Sequence, residues 1–235
     1  MKNFGEHIYG QTIGEMWIQL VKAVLSGEES EDEGRKRLAL QAVRVKSETQ
    51  IIEDKIIKKY GNGKFISSLV GLTFEDNKMY DFDVVQSFGP GADSYYKRIQ
   101  DGRMIDFIIK RLAKFPESKK AIMVFPNKND YKSVLENPTD DYFPCIVSIQ
   151  FRLVPNNYDT MNTIFYARSI DAFQKSNGNF IAIAMLSHEI AKRLSKNLGR
   201  EIKVGTLDGL ICDAHVYNEC YDDAKKLIKE YETTK

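Results

Sequence analysis

The sequence has little of what disulfide-bonded, metal-bound or membrane-spanning proteins need. Its 235 residues include three cysteines, Cys145, Cys212 and Cys220. The number is odd and no two share a CxxC spacing. A disulfide framework is therefore not expected, and a reducing, cytoplasmic setting is. Histidines are equally few: His7, His188 and His215. With no HExxH and no paired cysteines, no metal site is expected. No apolar run approaches ~18 residues, so no membrane-spanning helix is expected. The opening residues, Met1 to His7, carry no apolar segment of signal-peptide length. Lys plus Arg number 34 and Asp plus Glu 33, a net charge of +1. That balance supplies no bulk field to gather DNA, RNA or an anionic membrane. Anion binding must come from a local cluster.

What is present suits a folded globular chain. Charged residues are 29% and hydrophobic ones 43%, ordinary proportions for a length near that of one large domain. Thr12-Ile13-Gly14-Glu15 reads as a capping box. Ile13, Met16, Trp17, Leu20, Val21 and Val24 follow it at helical spacing, predicting a helix that ends near Gly27. Residues 28–37 read as a charged, mobile connection and 38–45 as a short strand. Residues 50–60 read as a helix stopped by Gly61-Asn62-Gly63, and 64–87 as loop with short strands. Phe88-Gly89-Pro90-Gly91 is a turn-rich break. A helix is predicted over 103–114, ended by Pro116, and a short buried strand over 121–125. Residues 145–154 alternate, with Val147, Ile149, Phe151 and Leu153 on one face and Ser148, Gln150 and Arg152 on the other. Strands over 162–166 and 204–212, a long buried helix over 180–198 and a final amphipathic helix over 222–231 complete an α+β reading. No repeat or linker divides the chain.

The second half concentrates groups that would suit one site. Pro144-Cys145 opens a strand, and Cys145 is either a nucleophile or a small buried hydrophobe. Arg168-Ser169-Ile170-Asp171 follows a strand. A guanidinium beside a hydroxyl can hold a phosphate, or form a surface salt bridge. The Asn179 amide both donates and accepts, so it can read the edge of a pyrimidine base or cap a helix. In Asp213-Ala214-His215-Val216-Tyr217, alternation puts His215 and Tyr217 on one face. There they can bond a sugar hydroxyl or satisfy a core network.

Taken in order, Pro144-Cys145, Gln150-Phe151, Arg168-Ser169-x-Asp171, Asn179 and Asp213-x-His215-x-Tyr217 resemble thymidylate synthase. Pro116-Glu117-Ser118-Lys119-Lys120 is similar to the family's Pro-Asp-Ser-Arg-Arg segment, and Phe88-Gly89 to its Tyr-Gly. The short chain, and the basic stretch around Arg35 and Arg37, look most like the compact, methanogen-type branch. The match is good over residues 100–217 and thin over 1–99.

The resemblance implies a single α+β domain over 1–235, with a mixed sheet packed on a long central helix and a sheet-to-sheet homodimer. It implies a cytoplasmic enzyme that attaches a one-carbon unit to C5 of dUMP, with 5,10-methylenetetrahydrofolate as co-substrate and no metal. Cys145 would add to C6 of the base, and Asp171 would contact the folate pterin or its water. Arg168 and Ser169 would bind the 5′-phosphate, with Arg35 or Arg37 closing over it. Lys119 and Lys120, where the family has two arginines, would complete the phosphate site of a partner subunit, or form a solvated helix end. Gln150 would sit beside the nucleotide, Asn179 would read uracil, and His215 and Tyr217 would hold the sugar 3′-hydroxyl. Neither a nucleic-acid polymer nor a membrane is an expected partner.

The departures fall on the folate side. Lys175 stands where the family has glycine, and Glu48, Glu53 and Glu75 sit in no recognisable catalytic motif. The alternatives are therefore a pyrimidine nucleotide hydroxymethylase or a non-catalytic nucleotide-binding member of the fold.

Overall fold

Thr12 starts the first helix as its sequence predicts. Its hydroxyl accepts from Glu15 N at 3.3 Å, and the Glu15 carboxylate turns back to Gln11 N at 2.8 Å. That second bond reaches one residue earlier than a standard capping box. The helix, α1 (Ile13–Val24), buries Ile13, Met16, Trp17, Leu20, Val21 and Val24. The computed structural model describes residues 5–80, 82, 91–136 and 142–234, so the Phe88-Gly89 match lies outside the described residues.

The strands are β1 (His7–Gly10), β2 (Glu28–Asp32), β3 (Arg35–Ser47), β4 (Ile122–Val124), β5 (Ile146–Leu153), β6 (Thr160–Ala167), β7 (Ile170–Asp171) and β8 (Lys203–Tyr217). They form one sheet in the order β1-β3-β8-β6-β5-β4, with β2 added to β3 and β7 to β8. The β1–β3, β6–β8 and β7–β8 pairs are parallel and the others antiparallel, so the sheet is mixed. The remaining helices are α2 (Lys55–Tyr60), α3 (Gly63–Phe74), α4 (Tyr95–Asp101), α5 (Met104–Lys114), α6 (Lys128–Glu136), α7 (Ser176–Leu198) and α8 (Tyr221–Thr234). Among the described residues, no helix is long and apolar enough to cross a membrane.

One core joins the inner sheet face to α1, α5, α7 and α8. Phe151, Phe165, Leu207 and Val216 meet Phe180, Ala184, Ile190 and Leu194 of α7, all buried. Trp17 Nε1 donates to the Ala172 carbonyl at 3.0 Å and ties α1 to the entry of α7. The other sheet face is open and carries exposed Tyr9, Ile122, Val124, Ile164, Tyr166 and Leu210. The expected α+β class, mixed sheet and central helix are present.

Several local expectations are corrected. Residues 28–37 are not a mobile loop but the β2–β3 hairpin. Glu31 faces Lys36 and Asp32 faces Arg35 in register, so opposite charges pair across the strands. Glu33 (φ 50°) and Gly34 (φ 81°) make the tight turn, with the left-handed backbone that matches strand twist. Residues 64–74 are helical rather than irregular. Asn62 starts α3 instead of breaking the chain, its Oδ1 accepting from Lys64 N and Phe65 N at 3.1 and 3.3 Å.

The helix expected from residue 50 begins at Lys55. Asp54 caps it by accepting from Ile56 N at 2.8 Å and reaches Gly14 N of α1 at 2.9 Å. The strand at 121–125 is an edge strand, burying Met123 but exposing Ile122 and Val124. In β5 a register shift between Ile146 and Ser148 puts Ile146 in the core in place of Val147. Helix α7 starts at Ser176, one turn before the expected residue 180.

Candidate active site

Four separate segments meet at one end of the sheet. The hairpin turn brings Asp32 and Glu33. The entry to β5 brings Tyr142, Phe143 and Cys145. The β6–β7 connection brings Arg168, Ser169 and Asp171, and the end of β8 brings His215 and Tyr217. With Val134 and Lys175 they line a cleft of about 350 Å³.

Backbone pairing fixes Cys145 and Arg168 together. Arg168 N donates to the Cys145 carbonyl at 3.0 Å, extending the β5–β6 ladder past its register shift. The Arg168 guanidinium then donates to the Phe143 carbonyl at 2.7 Å. Beside Cys145, Ile146 N donates to the Tyr95 hydroxyl at 2.9 Å. Burial, then the neighbouring Cys145, pushes the Tyr95 phenol up, so it stays neutral. Cys145 is partly accessible, Cys212 is exposed and Cys220 is buried. Burial, followed by Asp171, pushes the Cys220 thiol up to about 12, which leaves it inert as a nucleophile.

The far wall is a chain of polar contacts. The Ser169 hydroxyl lies 3.3 Å from His215 Nδ1, which lies 3.1 Å from Asp213 Oδ1. Asp213 also accepts from Arg37 Nη1 and Nη2 at 2.6 and 3.1 Å. Burial works against the Asp213 charge, but His215 and Arg37 outweigh it and hold the carboxyl below its ordinary range. Facing a carboxylate, His215 Nδ1 carries its proton, which leaves Nε2 as the acceptor in the neutral ring. The Tyr217 hydroxyl donates to Asp32 Oδ2 at 2.9 Å. Asp171 is buried, and its carboxylate accepts from Phe173 N, Gln174 N and Gln174 Nε2 at 3.0, 2.8 and 2.8 Å. It shapes the turn into α7 while still lining the cleft.

The structure thus brings together Cys145, Arg168, Ser169, Asp171, His215 and Tyr217. It does not bring the other expected residues into the cleft wall. Arg37 is held by Asp213, and Arg35 stacks on the Tyr217 ring, 3.6 Å from its centroid, with Glu219 3.4 Å away. Gln150 points to the open sheet face and donates to the Lys119 carbonyl at 2.8 Å. Lys119 and Lys120 are exposed in the turn before β4. Asn179 sits in the first turn of α7, buried, beside a separate apolar pocket shared with Tyr95, Phe125 and Ile146. Its helical position rules out the N-cap reading, and among the described residues its side-chain amide has no hydrogen-bond partner.

Sequence reading missed Asp32, Glu33, Tyr142 and Phe143. The available signal for the first two was Glu33-Gly34 between charged, pairable residues, a hairpin-turn pattern. Glu48, Glu53 and Glu75 do not line the cleft; among the described residues its glutamate is Glu33. No group of His, Cys, Asp and Glu among the described residues is arranged to hold a metal ion.

The sequence matches the family model for thymidylate synthase over residues 75–235. The chain belongs to the thymidylate synthase family. No curated protein matches it. The matched span contains β4 to β8, α4 to α8 and all of the cleft except the hairpin residues Asp32 and Glu33. One-carbon transfer to a dUMP-like substrate is therefore the family-level activity.

Proposed function

We propose that this protein methylates dUMP to dTMP, with Cys145 as the nucleophile. The observation that carries the reading is the accessible Cys145 thiol on a cleft wall beside Arg168, with Ser169, His215 and Tyr217 lining the same cleft. Uracil C5 is a poor nucleophile until a thiolate adds at C6. The Cys145 sulfur would form a bond to C6, and the C5=C6 electron pair would move onto the C4 oxygen as an enolate. C5 would then attack the one-carbon unit and lose its proton, the carbon–nitrogen bond to the folate would break to leave a methylene on C5, and hydride from the folate, which departs as dihydrofolate, would add to that methylene as the Cys145 thiolate is expelled. Methylenetetrahydrofolate supplies the carbon and the hydride that completes the methyl group. The Arg168 cation favours the thiolate, and with Ser169 it offers donors for the 5′-phosphate.

The family domain would take in all of 1–235, because β3 pairs with β8 from Ser47 to Arg37 and places the hairpin at the cleft. The open apolar sheet face supports a homodimer through that face. There Lys119 and Lys120 of one subunit would serve the other's phosphate. Lysine keeps the charge but not the bidentate grip of arginine. On the folate side, Val134, Tyr142 and Phe143 offer apolar surface. Lys175, whose ammonium sits 5.8 Å from the Phe82 ring centroid, lines the same cleft.

A lysine lining the cleft where the family has glycine favours one second reading, a hydroxymethylase in which water adds where hydride would. The test is incubation with dUMP and methylenetetrahydrofolate, with dCMP, UMP and CMP in parallel, read by product mass. A methyl gain on dUMP supports the synthase and a hydroxymethyl gain supports the second reading. No product from a protein that binds dUMP overturns both and leaves a nucleotide-binding member of the fold.

A further inference from the structure

The hairpin residue Asp32 adds a carboxylate to the cleft that no step above uses. Its Oδ2 accepts from the Tyr217 hydroxyl at 2.9 Å and lies 3.8 Å from Arg37 Nη1. Among the described residues its Oδ1 accepts no hydrogen bond. The single phenolic hydrogen of Tyr217 is committed to Asp32, so toward any further group the Tyr217 oxygen is an acceptor. Burial, then the Asp32 charge, pushes that phenol up, so it keeps the hydrogen. This corner of the cleft therefore presents acceptors, and the donors Arg168 and Ser169 line the same cleft.

We infer that Asp32 is a specificity-determining residue, whose carboxylate accepts from the sugar 3′-hydroxyl of the nucleotide and turns away an anion at that position. The inference rests on the nucleotide reading above, which places the sugar beside His215 and Tyr217. A hydroxyl hydrogen finds an ionised acceptor there, a bond stronger than one between neutral groups. A 3′-phosphate would bring acceptors and negative charge against a carboxylate, which is unfavourable on both counts. The polarity thus distinguishes two groups of one substrate: a phosphate suits the donors Arg168 and Ser169, and a free hydroxyl suits Asp32 and Tyr217.

The test uses the full-length protein and calorimetric titration with three ligands: dUMP, its 3′-deoxy analogue and its 3′-phosphorylated analogue. Wild type should bind dUMP about tenfold or more tightly than the 3′-deoxy analogue. In Asp32→Ala that preference should fall to within about threefold, since only the other acceptors remain. Asp32→Asn, which keeps an acceptor oxygen but loses the charge, should retain part of the preference and bind the 3′-phosphorylated analogue better than wild type does. Should Asp32→Ala fail to fold, the Asn variant decides by that second readout. Equal 3′-hydroxyl preference in wild type and variants overturns the inference while dUMP binding stands. Failure of wild type to bind dUMP overturns the nucleotide reading, and this inference with it.

Discussion

Arg37 of β3 and Asp213 of β8 are joined by two N–H···O bonds, 2.6 Å from Nη1 to Oδ1 and 3.1 Å from Nη2 to Oδ2. The same Oδ1 receives His215 Nδ1 at 3.1 Å. Arg37 is therefore placed to act on the cleft through Asp213 and His215. Arg37→Ala leaves Asp213 without its bidentate partner, at a cost in stability of about 1.5–3 kcal/mol. It should weaken deoxyuridine and dUMP by a similar factor in calorimetric titration. A loss confined to dUMP would mean that Arg37 contacts the phosphate after all.

The depressed Asp213 pKa has a definite sign in stability. The folded value lies below the unfolded one, so the stabilisation is complete above the unfolded pKa of ~3.9 and lost as pH falls through the lower folded value. Urea denaturation should show wild type more stable than Asp213→Asn at pH ~6. The gap should narrow below pH ~4 as wild type takes up the proton that the Asn variant cannot. A gap that does not narrow would exclude ionised Asp213 as its source.

Gly178 lies where α7 passes α3. A Cβ there would meet Leu69 Cδ1 at 2.6 Å and Ile66 Cα at 3.2 Å. Leu69 can turn away, but the α3 backbone cannot. Gly178→Ala should cost about 1–3 kcal/mol through overpacking, read as a lowered Tm. Gly63→Ala is the control, since a Cβ there meets nothing within 4 Å. It should be neutral or raise stability by up to about 1 kcal/mol.

The open sheet face carries the predicted dimer. Ile164 and Leu210 are exposed on adjacent strands. The double change Ile164→Glu and Leu210→Glu places like charges where two copies would meet. Light scattering should then report one chain where wild type reports two, and turnover should fall with the dimer. A wild-type monomer with full activity would remove Lys119 and Lys120 from any shared phosphate site.

The elements that hold the site were legible where one face is apolar. Alternation over 145–154 and helical spacing over 180–198 reflect burial against a single core, and both elements are present. The β2–β3 hairpin was not legible, because residues 28–37 are charged on both faces and show no apolar alternation. Helix α3 was hidden by glycines and serines that tertiary packing tolerates. In the site, the spacing of His215 and Tyr217 on one strand was enough to put them together. Alternation also set Gln150 opposite Phe151, yet it could not say which face holds the cleft. The partner of Arg37 depends on the β3–β8 register, and the role of Asp32 on a hairpin turn far from Tyr217 in sequence. Neither follows from local pattern.

The central claim, that Cys145 adds to C6 of uracil, can be read without any one-carbon donor. Addition creates an enolate at C5. Protonation there from solvent, followed by loss of the original C5 proton and of the thiolate, exchanges that hydrogen. Wild-type protein incubated with dUMP in deuterium oxide should return nucleotide heavier by one mass unit at C5. Cys145→Ser should return it unlabelled while still binding dUMP. Exchange at the wild-type rate in Cys145→Ser, or none in wild-type protein that binds dUMP, would contradict the account.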